Sequence, residues 1–492
     1  MMEEEGPHIE GRFDSFRKRI GLFLGPLLGI VVYLLPLDLP SGEARRLLAV
    51  FVCVVAWWVT EPIPLAVTAL FAAVSAVVLQ IADIKKVLAP FSDPIIFLFM
   101  GSFFLARAMH VHGLDKQIAA AFLSNRHLRR SPLLLLAFLG ALCAALSMWL
   151  SNSACAAMFY PIALGILGSL GPGMEKKLGP AVLLLIAYSA SLGGLGTPVG
   201  TPPNLIGMAM LERFASVKIS FLQWMSIGIP VFAAGYLAVL VLLKFFYPLK
   251  LGPQKTGEGS YEKVPFTSAQ KRCLAVFGVT VALWLLPGFA AIFPEEGSII
   301  KSLMATSMPE AVAAMTGAIL LFFVPASGGK SEKLLTWGNA VKIDWGTILL
   351  FGGGISLGSM IFDTKLAQSL GESWLSMFGT PGLWEFTLVS IVMAVLLSEF
   401  SSNTASANIL IPVIISVAQS AGISPVPPAV GATIACSMGF MLPVSTPPNA
   451  IVYGSGLVPM REMVRAGVCV DLVMIVLIFV LLRVLLPVYG FI

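Results

Sequence analysis

The chain has 492 residues, of which 57% are hydrophobic and only 12% charged. That charged share is about half that of an ordinary soluble domain. Together with apolar runs that fill most of the length, it excludes a soluble enzyme, a disordered tail protein and a secreted disulfide scaffold. The net charge of +5 is not gathered on a soluble face, as a nucleic-acid reader would need. The class read from composition is an all-α polytopic membrane protein with one large integral domain and no nucleic-acid partner.

In chain order, residues 1–19 are polar and charged, lack a signal-peptide pattern and are read as a cytoplasmic segment. Apolar spans are predicted at 20–36, 47–60, 64–82 and 94–110. A run interrupted by a polar tripeptide follows, 132–150 with 154–170. Then come 180–212, 220–248, 268–293, 306–325 and 346–362. A second interrupted run covers 383–400 with 405–420, followed by 427–457 and 464–490. The runs 180–212 and 427–457 each contain Thr-Pro-Pro-Asn, which must break a helix. The six cysteines are scattered without metal spacing and read as small buried hydrophobes.

These irregular segments come in pairs, and the pairing is an internal repeat. Asp93 and Asp344 each open a similar span, and Gly101 falls on Gly352 at an offset of 251. At that offset Ser147 matches Ser398, and Ser151-Asn152-Ser153 matches Ser402-Asn403-Thr404. TPVGTPPN (197–204) matches LPVSTPPN (442–449), and PLAVTALFAAVSAVV (64–78) resembles PEAVAAMTGAILLFF (309–323). An odd number of spans separates Asp93 from Asp344, so the second copy is expected upside down in the membrane. Inverted repeats with broken helices are the mark of secondary transporters, with the site near the bilayer midplane. With the N-terminus inside, most Lys and Arg fall on the cytoplasmic side and the C-terminus ends outside. The expected architecture has about 11 transmembrane helices, two re-entrant hairpins and two broken helices.

The interruptions carry the chemistry. At LSMWLSNSACAAM (146–158) and LLSEFSSNTASAN (396–408), small polar residues sit where two short helices meet. The second half-helix points free N–H groups at the tip, which favours an anion. The first half-helix offers free carbonyls, which favour a cation. In the Thr-Pro-Pro-Asn segments the prolines free further carbonyls, and Gly200 lets backbone approach a ligand closely. Two related half-sites thus predict two cation sites flanking one anion site. A lone Ser-Asn-Ser is more often a helix–helix contact, and a lone Pro-Pro more often a kink; duplication of both argues against those readings. Glu399 has Met148 as its repeat partner, which favours a structural acid over a proton or cation relay. Glu61 reads as structural, and His110, His112 and His127 as solvated loop residues. Gly-rich FGGGISLG (351–358) suits close helix packing. No metal set, Ser/His/Asp triad, phosphate loop or nucleotide fingerprint occurs, so no enzyme is expected.

The paired tips, the Thr-Pro-Pro-Asn breaks and WWVTEPIPLAVTAL (57–70) resemble the divalent anion:sodium symporter family. That resemblance implies an elevator-type transporter, homodimeric, with scaffold helices at 20–131 and within 249–381, the latter after a cytoplasmic linker. Transport-domain halves would lie at 132–248 and 382–492. It further implies a first sodium site at Ser147, Ser151, Asn152 and Gly200, and a second at Ser398, Ser402, Asn403 and Ser445. Substrate carboxylates would meet Asn152, Ser153, Asn403 and Thr404, with Thr201, Pro202, Thr446 and Pro447 lining the pocket. Ser153 departs from the family's usual Thr, keeping the hydroxyl and losing a methyl, so substrate size preference is expected to shift. Thr404 is retained and favours carboxylates over sulfate. No Arg or Lys is expected near the tips, so bound cations and helix N-termini must neutralise a dianion. The expectation is sodium-coupled symport of C4 dicarboxylates such as succinate, malate or fumarate across a plasma membrane (the inner membrane if bacterial). A sodium-independent dicarboxylate exchanger and a sulfate or citrate transporter are the alternatives on the same fold. Sodium is the coupling ion, and no organic cofactor is implied.

Overall fold

The computed structural model describes residues 6–123, 132–168, 172–247, 265–292, 308–326 and 332–491. Helices carry the fold; an antiparallel bridge between Pro325 and Lys333 is the sole strand-like pairing among the described residues. Seven described helices are long and apolar enough to cross a bilayer: Ile84–Val111, Gly173–Gly196, Phe221–Phe246, Ser268–Gly288, Trp345–Asp363, Leu383–Phe400 and Met460–Val488. Shorter apolar helices, among them Leu65–Val78, Asn152–Gly168 and Glu310–Phe323, fill the space between them. This is an all-helical, multi-span membrane protein.

Local chemistry explains the boundaries. Asp93 and Asp344 are the N-caps of Pro94–Val111 and Trp345–Asp363, accepting from Ile95 N at 3.1 Å and Thr347 N at 3.0 Å. Ser220 and Gln223 form a reciprocal capping box at the start of Phe221–Phe246. Pro64 and Pro309 stand immediately before the two 14-residue helices Leu65–Val78 and Glu310–Phe323, which bears out the register read between 64–78 and 309–323.

The two halves exchange partners. Glu310–Phe323 packs on Pro94–Val111, while Leu65–Val78 packs on Trp345–Asp363. The glycines set the approach: a Cβ on Gly101 would meet the Ala314 backbone at 2.6 Å, and one on Gly353 would meet Ala69 Cβ at 2.6 Å. Each half therefore completes the core of the other. The Gly-rich run serves close packing, as its composition suggested, since a Cβ on Gly354 would lie 1.8 Å from Asn408 Oδ1.

Several boundaries differ from the sequence reading. The first helix is Gly6–Leu34, so the polar start is continuous with the first span. The run 180–212 divides into Pro172–Gly193 and Pro202–Ala215. The run 427–457 divides into Val426–Ala435 and the short Pro447–Tyr453. Among the described helices of ten residues or more, two were not expected, Leu114–Leu123 and Leu366–Phe378. Both follow the Asp-capped helices after a left-handed corner, at Gly113 (φ 61°) and Lys365 (φ 59°). Their polar faces hid them from a search keyed on apolar runs. Most of the linker at 249–264, with its lysines, and His127 lie outside the described residues.

Candidate functional site

The first hairpin consists of Pro132–Ser147 and Asn152–Gly168, the second of Leu383–Phe400 and Asn403–Ser420. Each tip faces one of the helix breaks. In the first, Ser147 Oγ lies 2.8 Å from Asn152 Oδ1 and 2.7 Å from the carbonyl oxygen of Ala190. In the second, Ser398 Oγ lies 2.8 Å from Asn403 Oδ1 and 2.6 Å from the carbonyl oxygen of Cys436. Both serines are fully buried. A hydroxyl has one proton to donate, so each cluster holds more oxygen acceptors than protons to share. Such a surplus of hard oxygen atoms suits a small cation.

The breaks are braced by a residue that the sequence reading treated only as part of a helix-breaking motif. Asn204 Nδ2 donates to the carbonyls of Gly194 (2.9 Å) and Thr197 (2.8 Å). Asn449 Nδ2 donates to those of Gly439 (3.0 Å) and Leu442 (3.0 Å). Both asparagines are fully buried. The duplicated Asn that closes each Thr-Pro-Pro-Asn was the signal for this role. Each break is also tied to its tip through a hydroxyl: Thr197 Oγ1 donates to the Met148 carbonyl, and Ser445 Oγ stands 2.8 Å from the Glu399 carbonyl.

Glu399 is wholly buried and saturated with donors. Its Oε1 accepts from Phe440 N (2.7 Å) and Met441 N (2.9 Å), and its Oε2 lies 2.6 Å from Ser445 Oγ. This geometry is that of a structural acid holding the second break. Asp471, also buried, stands beside Glu399 from the last helix; the sequence reading did not single it out. His110 and His112 are not free loop residues: His110 Nδ1 is 3.0 Å from Asp115 Oδ2, and His112 Nε2 is 2.8 Å from the Leu334 carbonyl.

A cavity of about 970 Å³ joins the two half-sites. Its lining includes Asn152, Ser153, Thr201, Pro202, Asn403, Thr404, Thr446 and Pro447, all eight residues expected to meet the substrate. Of the expected cation ligands, Ser151, Gly200, Ser402 and Ser445 also reach it, while Ser147 and Ser398 lie behind the tips. Ser151 Oγ accepts from Ala154 N at 3.3 Å and so caps its own helix. The first turn of Asn403–Ser420 has no side-chain cap from Ser402, leaving N–H groups there for an anion. A Cβ on Gly194 would lie 2.7 Å from Asn152 Oδ1, and one on Gly200 would lie 2.5 Å from the Gly194 carbonyl oxygen. The glycines thus allow the first break to close onto the tip. The cavity also reaches Arg17, Lys18 and Arg107, which corrects the expectation that no basic group shares the space with the tips: these residues are distant in sequence and only the fold brings them to it.

Two broken helices and two hairpin tips converging on one polar cavity in a multi-span helical protein define a membrane transporter rather than an enzyme. The chain belongs to the sodium:sulfate symporter family, whose transmembrane region matches residues 18–488. It is 34% identical to an uncharacterized transporter of Haemophilus influenzae over 92% of this chain and 93% of that protein. It is 32% identical to the sodium-dependent dicarboxylate transporter SdcS of Staphylococcus saprophyticus, over 97% and 93% of the two chains. The fold is similar to that of the Alcanivorax borkumensis YdaH transporter (TM-score 0.54, 16% identity, 97% and 98% covered). It is also similar to that of Neisseria gonorrhoeae MtrF (TM-score 0.52, 13% identity, 95% and 94% covered).

Proposed function

We propose that this protein is a sodium-coupled symporter that imports C4 dicarboxylates such as succinate, malate or fumarate. The observation that carries the reading is the pair of proton-poor oxygen clusters, Ser147–Asn152–Ala190 and Ser398–Asn403–Cys436, on either side of one cavity. Cations there would lie behind Asn152 and Asn403, and the dianion in front of them. The carboxylates would be held by the Asn152 and Asn403 amides, the Ser153 and Thr404 hydroxyls and the N–H groups that open Asn152–Gly168 and Asn403–Ser420. Each helix end is worth roughly half a charge; Arg17, Lys18 and Arg107 add positive charge to the cavity, and cations bound first at the clusters supply the field beside the tips. That order makes transport coupled. Similarity to proteins named sodium-dependent dicarboxylate transporters supports both ion and substrate class.

In this reading the halves are inverted in the membrane, the hairpins are re-entrant, and the N-terminus is cytoplasmic with the C-terminus outside. The segments 132–248 and 382–492 form a transport domain that moves as an elevator against scaffold helices in 20–131 and 249–381, in a homodimer. The mouth flanked by Arg17 and Lys18 is then the cytoplasmic one. The test is radiolabelled succinate uptake into proteoliposomes with an inward sodium gradient, against potassium in its place. Sodium-dependent accumulation is expected. Equal counterflow in both salts would replace symport with exchange, and uptake of sulfate in preference to succinate would replace the substrate class.

A further inference from the structure

We propose that Arg107 forms a second anion-binding position in the mouth of the cavity, taking a carboxylate of the substrate on its way to or from the tips. The inference rests on the anion-transport reading above. On Pro94–Val111, residues Phe99, Ser102, Phe103, Ala106, Arg107 and His110 all line the cavity. Their spacing is that of one helical face, so Arg107 is presented to the same space as Asn152 and Asn403. The other charges on that lining are engaged. Asp115 is bound by His110, and Asp344 accepts from Thr347 N and Oγ1; Arg17, Lys18 and Glu61 also have partners. Arg107 has no ion pair and no hydrogen bond to any described residue, and its Nε is buried without an acceptor.

An arginine stays protonated in a protein, and its planar fork matches a carboxylate with two parallel bonds. A permanent cation facing a polar cavity with an unsatisfied buried N–H is therefore matched by an oxyanion of carboxylate type. The position is also one-sided. At the offset of the repeat, Arg107 falls on Gly358, where an added Cβ would pack against Phe214 at 3.1 Å. The cation at this mouth has no counterpart in the other half. Arg107 should thus assist binding from this face alone.

The experiment compares wild type, Arg107→Gln and Arg107→Lys in right-side-out and inverted membrane vesicles. It reads the KM and maximal rate of sodium-driven radiolabelled succinate transport from each face. At the face of Arg107 the Gln variant should raise KM about tenfold, the loss expected for one charged hydrogen-bonded contact, with the maximal rate kept. KM at the opposite face should be unchanged, and Lys should recover part of the loss. An unchanged KM at both faces, or an equal rise at both, overturns the inference while leaving the functional reading intact. Wild-type vesicles that move no succinate with sodium would overturn both.

Discussion

The two half-sites share a plan and differ in how the irregular backbone is held. The first break is short, from Gly194 to Thr201, between helices of 22 and 14 residues. It closes by glycine packing, with Gly193 against the Ala144 backbone and Gly200 against Gly194. The second break runs over 436–446, between helices of 10 and 7 residues. More backbone leaves the helical ladder there, and buried N–H groups need an acceptor. Glu399 supplies it to Phe440 and Met441, where the first half has Met148. The tips differ as well. Trp149 stacks at 6.3 Å on Phe221 and 6.5 Å on Trp284, whereas its counterpart Phe400 is 58% exposed. Both halves thus keep the oxygen clusters and the asparagine brace, while the acid brace and the aromatic packing of the tip differ.

Substitutions can break that comparison at its shared points or sharpen it at the divergent ones. Asn152→Ala and Asn403→Ala each remove an oxygen from a cluster and an amide from the cavity. Both should lower sodium-dependent uptake to under about a tenth of wild type without unfolding the protein, since a polar site left unpaired loses orders of magnitude. Normal uptake by either would show that only one half-site is used. Glu399→Ala strips three donors of their acceptor and should cost about 3–5 kcal/mol, against about 1 kcal/mol for the half-buried Met148→Ala. Thermal unfolding in detergent would read the gap, and equal costs would contradict the brace. Ser445→Ala, which takes one hydroxyl donor from the buried Glu399, should cost about 1.5–3 kcal/mol. Gly200→Ala drives a Cβ to 2.5 Å from a backbone oxygen and should cost about 1–3 kcal/mol. The smallest contrast lies at the corners: Lys365→Gly should stabilise by up to about 1 kcal/mol, and Gly113→Ala should destabilise by a similar amount.

Much of this was legible in the sequence because the repeat is written in residues with narrow conformational roles. Proline and asparagine in 201–204 and 446–449 fixed the breaks, and Asp93 and Asp344 fixed two helix starts. Residues that act through tertiary contact were not legible. Asn204 and Asn449 reach carbonyls ten and seven residues upstream, which only the folded break brings within range. Arg107 drew no notice in the sequence; only the folded helix Pro94–Val111 brings it to the cavity. The helices Leu114–Leu123 and Leu366–Phe378 were missed because amphipathic surface segments lack the long apolar run that announces a span.

The most direct test is an experimental density map of the protein loaded with sodium and succinate. The account predicts the solute between Asn152 and Asn403, with one ion beside Ser147 and another beside Ser398. Succinate bound away from both asparagines, or the two serine clusters without ions while succinate is seated, would contradict it.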